Sequence, residues 1–202
     1  MTKSELRKIY LAKRETLADD ELALKSRQIA DRFFESFNLQ PFRFLHCFIP
    51  IPKFNEIDTS LIYKRIWAEF PLVQTVAPLV DFETGGIENL EFDAKTELIE
   101  NAWGVREPAR GSGVEVAEID MVLVPLLCFD KNGFRVGYGK GFYDKFLSRC
   151  RPECLKIGLS YFLPVDNIED LGANDIALNI FVTPEKLYRP QIKKDRSAPP
   201  YF

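Results

Sequence analysis

Histidine is almost absent from this chain of 202 residues, and its scarcity limits the chemistry that the protein can perform. The single histidine, His46, lies in the run F-R-F-L-H-C-F-I-P at positions 42–50. An imidazole in such an apolar, strand-like run is favoured as a buried structural group. We therefore expect neither a histidine-centred triad nor a zinc hydrolase. Phosphoryl transfer stays open, because it depends mainly on positioning, metal and positive charge.

Cysteine is also scarce, and the four cysteines are Cys47, Cys128, Cys150 and Cys154. A domain of this size has no need of disulfide bonds, so reduced thiols are the default expectation. Cys150 and Cys154 lie one helical turn apart, but no second pair accompanies them. A metal site at this pair is therefore disfavoured.

Long hydrophobic runs are missing as well. The longest, Met121 to Phe129, is interrupted by Pro125, and it is far shorter than the roughly 20 residues that cross a bilayer. The chain starts with the polar stretch M-T-K-S-E-L-R-K, which is not a targeting pattern. We therefore expect a soluble, cytoplasmic protein without a membrane partner.

Neither sign of charge dominates, because 27 basic and 30 acidic residues give a net charge of −3. This balance provides no electrostatic footprint for nucleic acid or for an anionic membrane. Any attraction for phosphate must therefore be local. We expect one domain with a small-molecule ligand, acting as a monomer, with a dimer as the alternative.

What the chain does contain is a dense glycine loop, R-V-G-Y-G-K-G-F-Y-D, at positions 135–144. Three glycines remove Cβ atoms, so that a bulky anion can approach backbone N–H groups: Gly137, Gly139 and Gly141. Side chains that can meet phosphate oxygens or a magnesium ion are Arg135, Lys140 and Asp144. Aromatic faces stand among them at Tyr138, Phe142 and Tyr143.

This loop matches neither common nucleotide fingerprint. A P-loop needs Ser or Thr after its lysine and a glycine where Phe134 stands, but Gly141 follows Lys140. The dinucleotide pattern needs glycine where Phe142 stands. From residue types alone, an anion-binding loop is favoured, and a glycine-rich structural turn stays open.

Hydrophobic periodicity predicts an α/β fold with three layers: a mainly parallel central sheet with helices on both faces. Two helices are predicted over Lys3 to Phe37, with a break near Ala18 to Asp20, and two more over Ile57 to Glu69 and Tyr143 to Arg151. Strands are predicted over Phe44–Ile49, Leu72–Val80, Ile87–Phe92, Asp120–Pro125, Leu155–Ser160 and Ile176–Val182. Pro78 indicates the end of its strand or a sheet edge, Asn101 to Gly113 is predicted as a loop, and Lys193 to Phe202 as a poorly ordered tail.

The whole pattern resembles the 5-formyltetrahydrofolate cyclo-ligase family, also called 5,10-methenyltetrahydrofolate synthetase. The strongest part of the resemblance is D-M-V-L-V-P-L-L-C-F-D-K-N-G-F-R-V-G-Y-G-K-G-F-Y-D at positions 120–144. Weaker blocks are K-S-E-L-R at 3–7, N-E-I-D-T at 55–59, W-G-V-R-E-P at 103–108 and N-D-I-A-L-N at 174–179. The match runs nearly end to end, with departures at Leu126, Cys128 and Asn174 that bear on pocket shape.

The resemblance implies an ATP- and Mg²⁺-dependent ring closure that converts 5-formyltetrahydrofolate to 5,10-methenyltetrahydrofolate and releases ADP and phosphate. The formyl oxygen is phosphorylated first, and the neighbouring anilinic nitrogen then attacks the activated carbon. Such chemistry needs no protein nucleophile, because the protein has only to align two ligands and neutralise charge.

The resemblance also implies site residues. It places the ATP phosphates at Lys3, Arg7, Arg135, Gly137, Gly139, Lys140 and Gly141, of which Lys140 and Arg135 act in catalysis. It places Mg²⁺ at Asp144 and Asp175. It places the reduced folate at Ile51, Glu56, Trp103, Tyr138, Phe142 and Tyr143.

The residue types alone favour different roles for several of these positions. Lys3 and Arg7 lie four apart, as on a solvated helix face, Asp175 resembles a cap or turn residue, and Glu56 a partner of a helix dipole. Two other functions also stay open: an ATP-dependent kinase for another small molecule, and a non-catalytic folate- or nucleotide-binding protein.

Overall fold

A seven-stranded sheet organises the computed structural model, which describes residues 1–102 and 104–190. In chain order its strands are β1 (Phe44–His46), β2 (Gln74–Asp81), β3 (Gly86–Phe92), β6 (Met121–Val124), β9 (Leu155–Leu159), β10 (Ile180–Val182) and β11 (Leu187–Tyr188). Two small ribbons pair β4 (Leu98–Glu100) with β5 (Arg106–Pro108) and β7 (Cys128–Phe129) with β8 (Arg135–Val136).

The spatial order of the main sheet is β11-β10-β9-β6-β1-β2-β3. The five strands from β10 to β2 run parallel, and only the two edge strands, β11 and β3, are antiparallel to their neighbours. Every residue of the central strand β6 is buried. A strand that is covered on both faces is expected to be apolar throughout, and this explains the run M-V-L-V.

Four helices accompany the sheet: α1 (Lys3–Glu15), α2 (Asp19–Ser36), α3 (Ser60–Glu69) and α4 (Phe142–Leu147). Thr2 and Glu5 form a reciprocal capping box at the start of α1, which satisfies backbone donors that the helix leaves unpaired. No helix in the described part of the chain is long and apolar enough to span a membrane.

Alternate residues of β6 point into two separate cores, one on each face of the sheet. Met121 and Leu123 join the core that contains α2 and α3. Val122 and Val124 join the core that contains Phe146 and Leu147 of α4. The three-layer, mainly parallel α/β fold predicted from the sequence is thus confirmed.

Most predicted elements are present, but several bounds differ. The break between the first two helices falls at residues 16–18, the strand at Phe44 is three residues long, and α4 ends at Leu147. The predicted loop at 101–113 contains β5, and the predicted strand from Ile176 begins only at Ile180. The predicted tail at 193–202 lies outside the described residues.

The prediction for Pro78 was wrong. This residue lies inside β2, opposite Asn89 of β3, and β2 is not an edge strand. However, β1 pairs only with residues 74–76 of β2. Pro78 therefore lies where β2 has passed the end of β1, and the N–H that proline lacks is not needed there for pairing with β1.

Candidate active site

The glycine loop, residues 137–141, joins β8 to the start of α4. Gly139 and Gly141 have φ angles of 94° and 73°, in the left-handed region that disfavours other residues. A Cβ at Gly139 would lie 3.1 Å from Cζ of Arg7, whereas a Cβ at Gly137 or Gly141 would meet no atom within 4 Å. The loop thus turns sharply, and two of its glycines border open space.

Arg135 and Asp144 close the two ends of this loop. The Nη2 atom of Arg135 lies 3.0 Å from Oδ1 of Asp144. Both side chains also bind the backbone of Ile176. Arg135 donates to the carbonyl of Ile176 at 3.0 Å, and the N–H of Ile176 donates to Asp144 at 3.1 Å. Burial lowers the pKa of the Arg135 guanidinium, and the charge of Asp144 opposes this shift. The group stays charged, because the ordinary pKa of arginine is far above neutrality.

Helix α1 brings Arg7 to the loop and Lys3 to Asp175, the residue before Ile176. The Nε atom of Arg7 donates to the carbonyl of Gly137 at 2.9 Å. Lys3 forms an ion pair with Oδ2 of Asp175, an oxygen that also accepts the N–H of Gly172 at 2.5 Å. The solvated-face alternative for Lys3 and Arg7 is therefore wrong, because both side chains contact the far end of the chain.

Lys140 differs from these three cations. It is exposed at the tip of the loop, and within residues 1–102 and 104–190 it has no hydrogen-bond or ion-pair partner. Its charge is not committed to the fold. It is therefore available to a ligand.

A carboxylate forms the other end of the site. Oε1 of Glu56 accepts a hydrogen bond from the Tyr138 hydroxyl at 2.6 Å, and Oε2 accepts the N–H of Ile51 at 2.8 Å. Burial raises the pKa of Glu56, and these two hydrogen bonds and the charge of Arg14 oppose the shift. The ring of Tyr138 lies 5.2 Å from that of Phe54. Ile51, Glu56 and Tyr138 are therefore brought together, as the resemblance implies.

The remaining aromatic residues are placed differently from one another. Tyr143 is packed beside His46, with ring centroids 5.9 Å apart, and its buried hydroxyl has no partner among the described residues. Phe142 instead packs edge-on against Phe82 of the turn between β2 and β3, with centroids 5.6 Å apart. Phe142 has no described contact with Glu56 or Tyr138. Trp103 lies outside the described residues.

Arg14 belongs to the site but was missed by the sequence analysis. It is only 3% exposed, and its Nη1 atom donates to the Tyr138 hydroxyl at 3.0 Å. The signal that identifies it is helical spacing, because positions 3, 7 and 14 fall on one face of α1. Arg14 and Glu56 lie beside Pro125 and Leu126, which follow β6, and the packing there leaves no cavity that admits a water molecule.

The single histidine has the structural role that the sequence favours. His46 is fully buried, and burial lowers its pKa to about 3, so that it is neutral at physiological pH. All four cysteines are free thiols. Within the described residues no cluster of three or more His, Cys, Asp or Glu side chains could hold a metal ion.

The residues around the loop fit a nucleotide phosphate and a magnesium ion. Lys3, Arg7, Arg135 and Lys140 supply positive charge, and the loop has open space beside Gly137 and Gly141. The hydrogen bonds of Asp144 and Asp175 described above use one oxygen of each carboxylate. Their second oxygens can serve an ion that keeps several of its waters and needs only one or two carboxylates.

A large surface groove lies elsewhere on the described residues. It has a volume of about 730 Å³ and lies where β2 begins and β3 ends, with walls that include Trp67, Phe92 and Arg110. It shares no lining residue with the glycine loop or with the surroundings of Glu56. The chemistry of the site therefore rests on its charged groups, not on the size of a groove.

Solved structures of similar fold include proteins of Aquifex aeolicus and Mycoplasma pneumoniae. A 5,10-methenyltetrahydrofolate synthetase of Aquifex aeolicus aligns with a TM-score of 0.73 and 26% identity, over 98% of this chain and 97% of that one. A 5,10-methenyltetrahydrofolate synthetase of Mycoplasma pneumoniae aligns with a TM-score of 0.73 and 25% identity, over 92% of this chain and all of that one. Both likenesses therefore extend over nearly the entire fold.

Sequence comparisons point the same way. The mouse protein named 5-formyltetrahydrofolate cyclo-ligase is 29% identical over 103 residues, which are 48% of this chain and 50% of that protein. The chain thus spans about half the length of this relative, although the alignment with the cyclo-ligase of Mycoplasma pneumoniae, at 25% identity, covers all of that protein. The sequence model of the 5-formyltetrahydrofolate cyclo-ligase family matches residues 1–184, and the chain belongs to this family of ligases.

Proposed function

We propose that this protein closes the ring of 5-formyltetrahydrofolate to 5,10-methenyltetrahydrofolate, using ATP and Mg²⁺ and releasing ADP and phosphate. One observation carries the proposal. Four cationic side chains gather around an open glycine loop and the adjacent residues Asp175 and Ile176, and the same loop supplies Tyr138, which contacts the carboxylate of Glu56. The glycine loop, residues 137–141, thus borders both the proposed phosphate site and the carboxylate of Glu56.

The proposed reaction has two steps. The formyl oxygen attacks the γ-phosphorus of ATP, the bond to the bridging oxygen breaks, and ADP leaves. The anilinic nitrogen then attacks the formyl carbon and releases its N–H proton to solvent, and the formyl oxygen departs with the transferred phosphoryl group as inorganic phosphate. An amide oxygen is a poor leaving group, so phosphorylation supplies the activation that the ring closure needs. This route requires no histidine base, in agreement with the buried and neutral His46.

Positive side chains stabilise the charge that the transferring group carries. Lys140 is assigned to this group because its ammonium has no partner in the described fold, and Arg135 to the inner phosphates because Asp144 and Ile176 hold it rigidly. Lys3 and Arg7 bind the remaining phosphate oxygens. Preorganised charges of this kind act without reorganisation during the reaction.

Asp144 and Asp175 are the residues that would hold Mg²⁺, which neutralises phosphate charge when it is bound. Each carboxylate is also anchored by a cation, Arg135 and Lys3 respectively. These ion pairs fix the direction of both side chains before any ligand arrives. The site is therefore preorganised.

Glu56 is assigned to the pterin edge. An ionised carboxylate offers about four lone-pair positions, and two are used by Tyr138 and Ile51. The others can accept N–H groups of the pterin, while Tyr138 and Tyr143 offer aromatic faces. Trp103 and Phe142 are retained as proposed folate contacts, the latter only if Phe142 leaves its position against Phe82. The residues beside Glu56 leave no cavity that admits even a water molecule, whereas a ligand pocket typically measures about 300 Å³ or more, so lining side chains must move apart for a pterin.

A spectrophotometric assay tests the proposal. The protein is mixed with 5-formyltetrahydrofolate, ATP and Mg²⁺, and the absorbance of the methenyl product is followed together with ADP. We expect both to rise in equal amounts, and neither to rise without ATP or Mg²⁺. Release of ADP without methenyl absorbance would favour a kinase, and binding of both ligands without turnover would favour a binding protein.

The setting of the reaction is part of the same proposal. A reduced folate is the expected small-molecule partner, and a cytoplasmic location agrees with the four free thiols, since disulfides are rare in that compartment. We expect the protein to act as a monomer, with a dimer as the alternative.

A further inference from the structure

Arg14 is a buried cation at the end of α1, outside the set that the proposed reaction uses. Its side chain reaches two partners: Nη2 donates to the carbonyl of Leu126 at 2.5 Å, and Nη1 donates to the Tyr138 hydroxyl at 3.0 Å. Its Nε atom is buried and has no partner among the described residues. Burying a guanidinium costs several kcal/mol unless its surroundings compensate, so this placement needs a physical reason.

The geometry gives the hydrogen bonds a direction. A guanidinium has donors and no acceptor, so Nη1 must donate to the phenol oxygen. The single hydroxyl proton of Tyr138 then points elsewhere, and it meets Oε1 of Glu56 at 2.6 Å. Arg14 thereby orients Tyr138 as a donor to Glu56, through positions that are 124 and 82 residues apart along the chain.

The charge state of Glu56 depends on opposing effects, of which burial is the largest. Burial favours a protonated Glu56 by raising its pKa, and the charge of Arg14 works against that shift. A protonated Glu56 would present a donor on one oxygen and would lose acceptor capacity. Of the ionisable groups that act on Glu56, Tyr138 and Arg14 stabilise its charged form, and the nearby Tyr143 and Tyr161 are neutral because burial raises their pKa values.

We propose that Arg14 is a positioning residue for the folate: through Tyr138 it orients the Glu56 carboxylate and favours its ionised form, with its remaining lone pairs open to the N–H edge of the pterin. This inference rests on the proposed function, because it assumes that Glu56 binds a pterin. A purely structural role would explain the bond to Leu126, which ties α1 to the segment after β6. It would not explain the chain of bonds that continues through Tyr138 to Glu56.

Helix α1 provides an internal control. Lys3 and Arg7 lie on the same helix and contact the nucleotide end of the site. If replacing Arg14 only displaced the helix, affinity for ATP would fall together with affinity for the folate. If Arg14 acts through Tyr138 and Glu56, the folate affinity alone falls.

The experiment measures dissociation constants by calorimetry for 5-formyltetrahydrofolate and, separately, for ATP with Mg²⁺. The variants are Arg14→Met, which keeps a long apolar side chain, Arg14→Lys, Tyr138→Phe and the double variant Arg14→Met/Tyr138→Phe. Arg32→Met is the matched control, because Arg32 is a half-buried arginine of α2 that donates to the carbonyl of Pro184 and not to the site. Thermal unfolding of each variant reports on folding.

We expect Arg14→Met to weaken folate binding about tenfold or more, while ATP binding changes less than about twofold. Arg14→Lys should be intermediate, because a lysine keeps the charge but not the fork of donors. The double variant should bind folate no more weakly than Tyr138→Phe alone, since both changes break the same chain of bonds. Arg32→Met should leave both constants unchanged.

Equal losses of folate and ATP affinity, an unchanged folate affinity, or additive losses in the double variant would each overturn the inference. If Arg14→Met does not fold, comparing Arg14→Lys with and without Tyr138→Phe gives the same test of additivity. A wild-type protein that binds no 5-formyltetrahydrofolate would instead overturn the proposed function. A wild-type protein that binds it, with Arg14 variants that bind it equally well, would overturn only the role of Arg14.

Discussion

Arg135 and Asp144 form an ion pair, with 3.0 Å between Nη2 and Oδ1, and this pair holds together the two ends of the glycine loop. The arginine is assigned to phosphate and the aspartate to magnesium, so two ligand-binding groups support each other before a ligand is present. Only 6% of the Arg135 side chain is exposed, against 26% for Asp144. The pair therefore contributes to the stability of the fold as well as to the proposed chemistry.

Replacing Asp144 with Asn should lower both stability and turnover. The change leaves a nearly buried guanidinium without its counter-charge, which we expect to cost about 1–3 kcal/mol of unfolding free energy. Denaturant unfolding measures this loss. The control is Asp166→Asn, since the ion pair of Asp166 with Lys131 is exposed and should contribute far less to stability. Equal losses in the two variants would contradict a special role for the Arg135 pair.

Replacing Lys140 with Ala should lower turnover without lowering stability. Loss of a charge-assisted contact costs about 1.5–3 kcal/mol, which corresponds to a rate about ten- to a hundredfold lower or more. The melting temperature should stay unchanged, because Lys140 is exposed and its charge has no partner in the described fold. Lys64→Ala, at an exposed position of α3, is the control for both measurements. Unchanged kinetics would remove Lys140 from the mechanism.

Replacing Glu56 with Gln should weaken folate binding more than ATP binding. The substitution keeps the shape of the side chain but puts amide donors where the carboxylate offers only acceptors. We expect the folate dissociation constant to rise about tenfold, as calorimetry can measure, with ATP affected less than about twofold. Glu69→Gln, on the exposed side of α3, serves as the control. Equal losses for both ligands would argue against a pterin contact.

The stability of the protein should depend on His46 in acid. Burial lowers the pKa of His46 to about 3 from an ordinary value of 6.5. Between these two pH values the imidazole is protonated in the unfolded chain and neutral in the folded protein. Stability from this group is present above pH 6.5 and is lost as the pH falls towards 3. The loss should approach about 1.4 kcal/mol per pH unit.

Unfolding experiments on His46→Leu across this range check the sign. The unfolding free energy of the variant should fall less steeply with decreasing pH than that of the wild type, although carboxylates contribute the same background to both. Parallel curves would show that His46 takes up its proton in the folded state at an ordinary pH.

The local sequence was sufficient for the main elements of the fold. The unbroken apolar run at 121–124 predicted a central parallel strand, and β6 is the middle strand of seven. The spacing of apolar residues before position 37 predicted two helices, which are present. The predicted ends of several elements were wrong, as for α4, which is shorter than predicted. At such ends, tertiary contacts decide which residues continue an element. The prediction for Pro78 failed because a proline is accepted inside β2 only where the neighbouring strand β1 has ended, and the length of β1 could not be predicted.

The sequence by itself determined where the turns and charges of the glycine loop lie, because φ angles near 90° select glycine locally and independently of the rest of the chain. Only the tertiary structure decided the partners of those charges. Lys3 meets Asp175 across 172 positions, and Arg14 meets Tyr138 across 124. Such pairs follow from how α1 packs against the loop, and helical periodicity gives the face of a residue but not the surface that the face will cover. For the same reason, only burial and tertiary partners distinguish Arg135, which is bonded to Asp144 and Ile176, from the exposed Lys140.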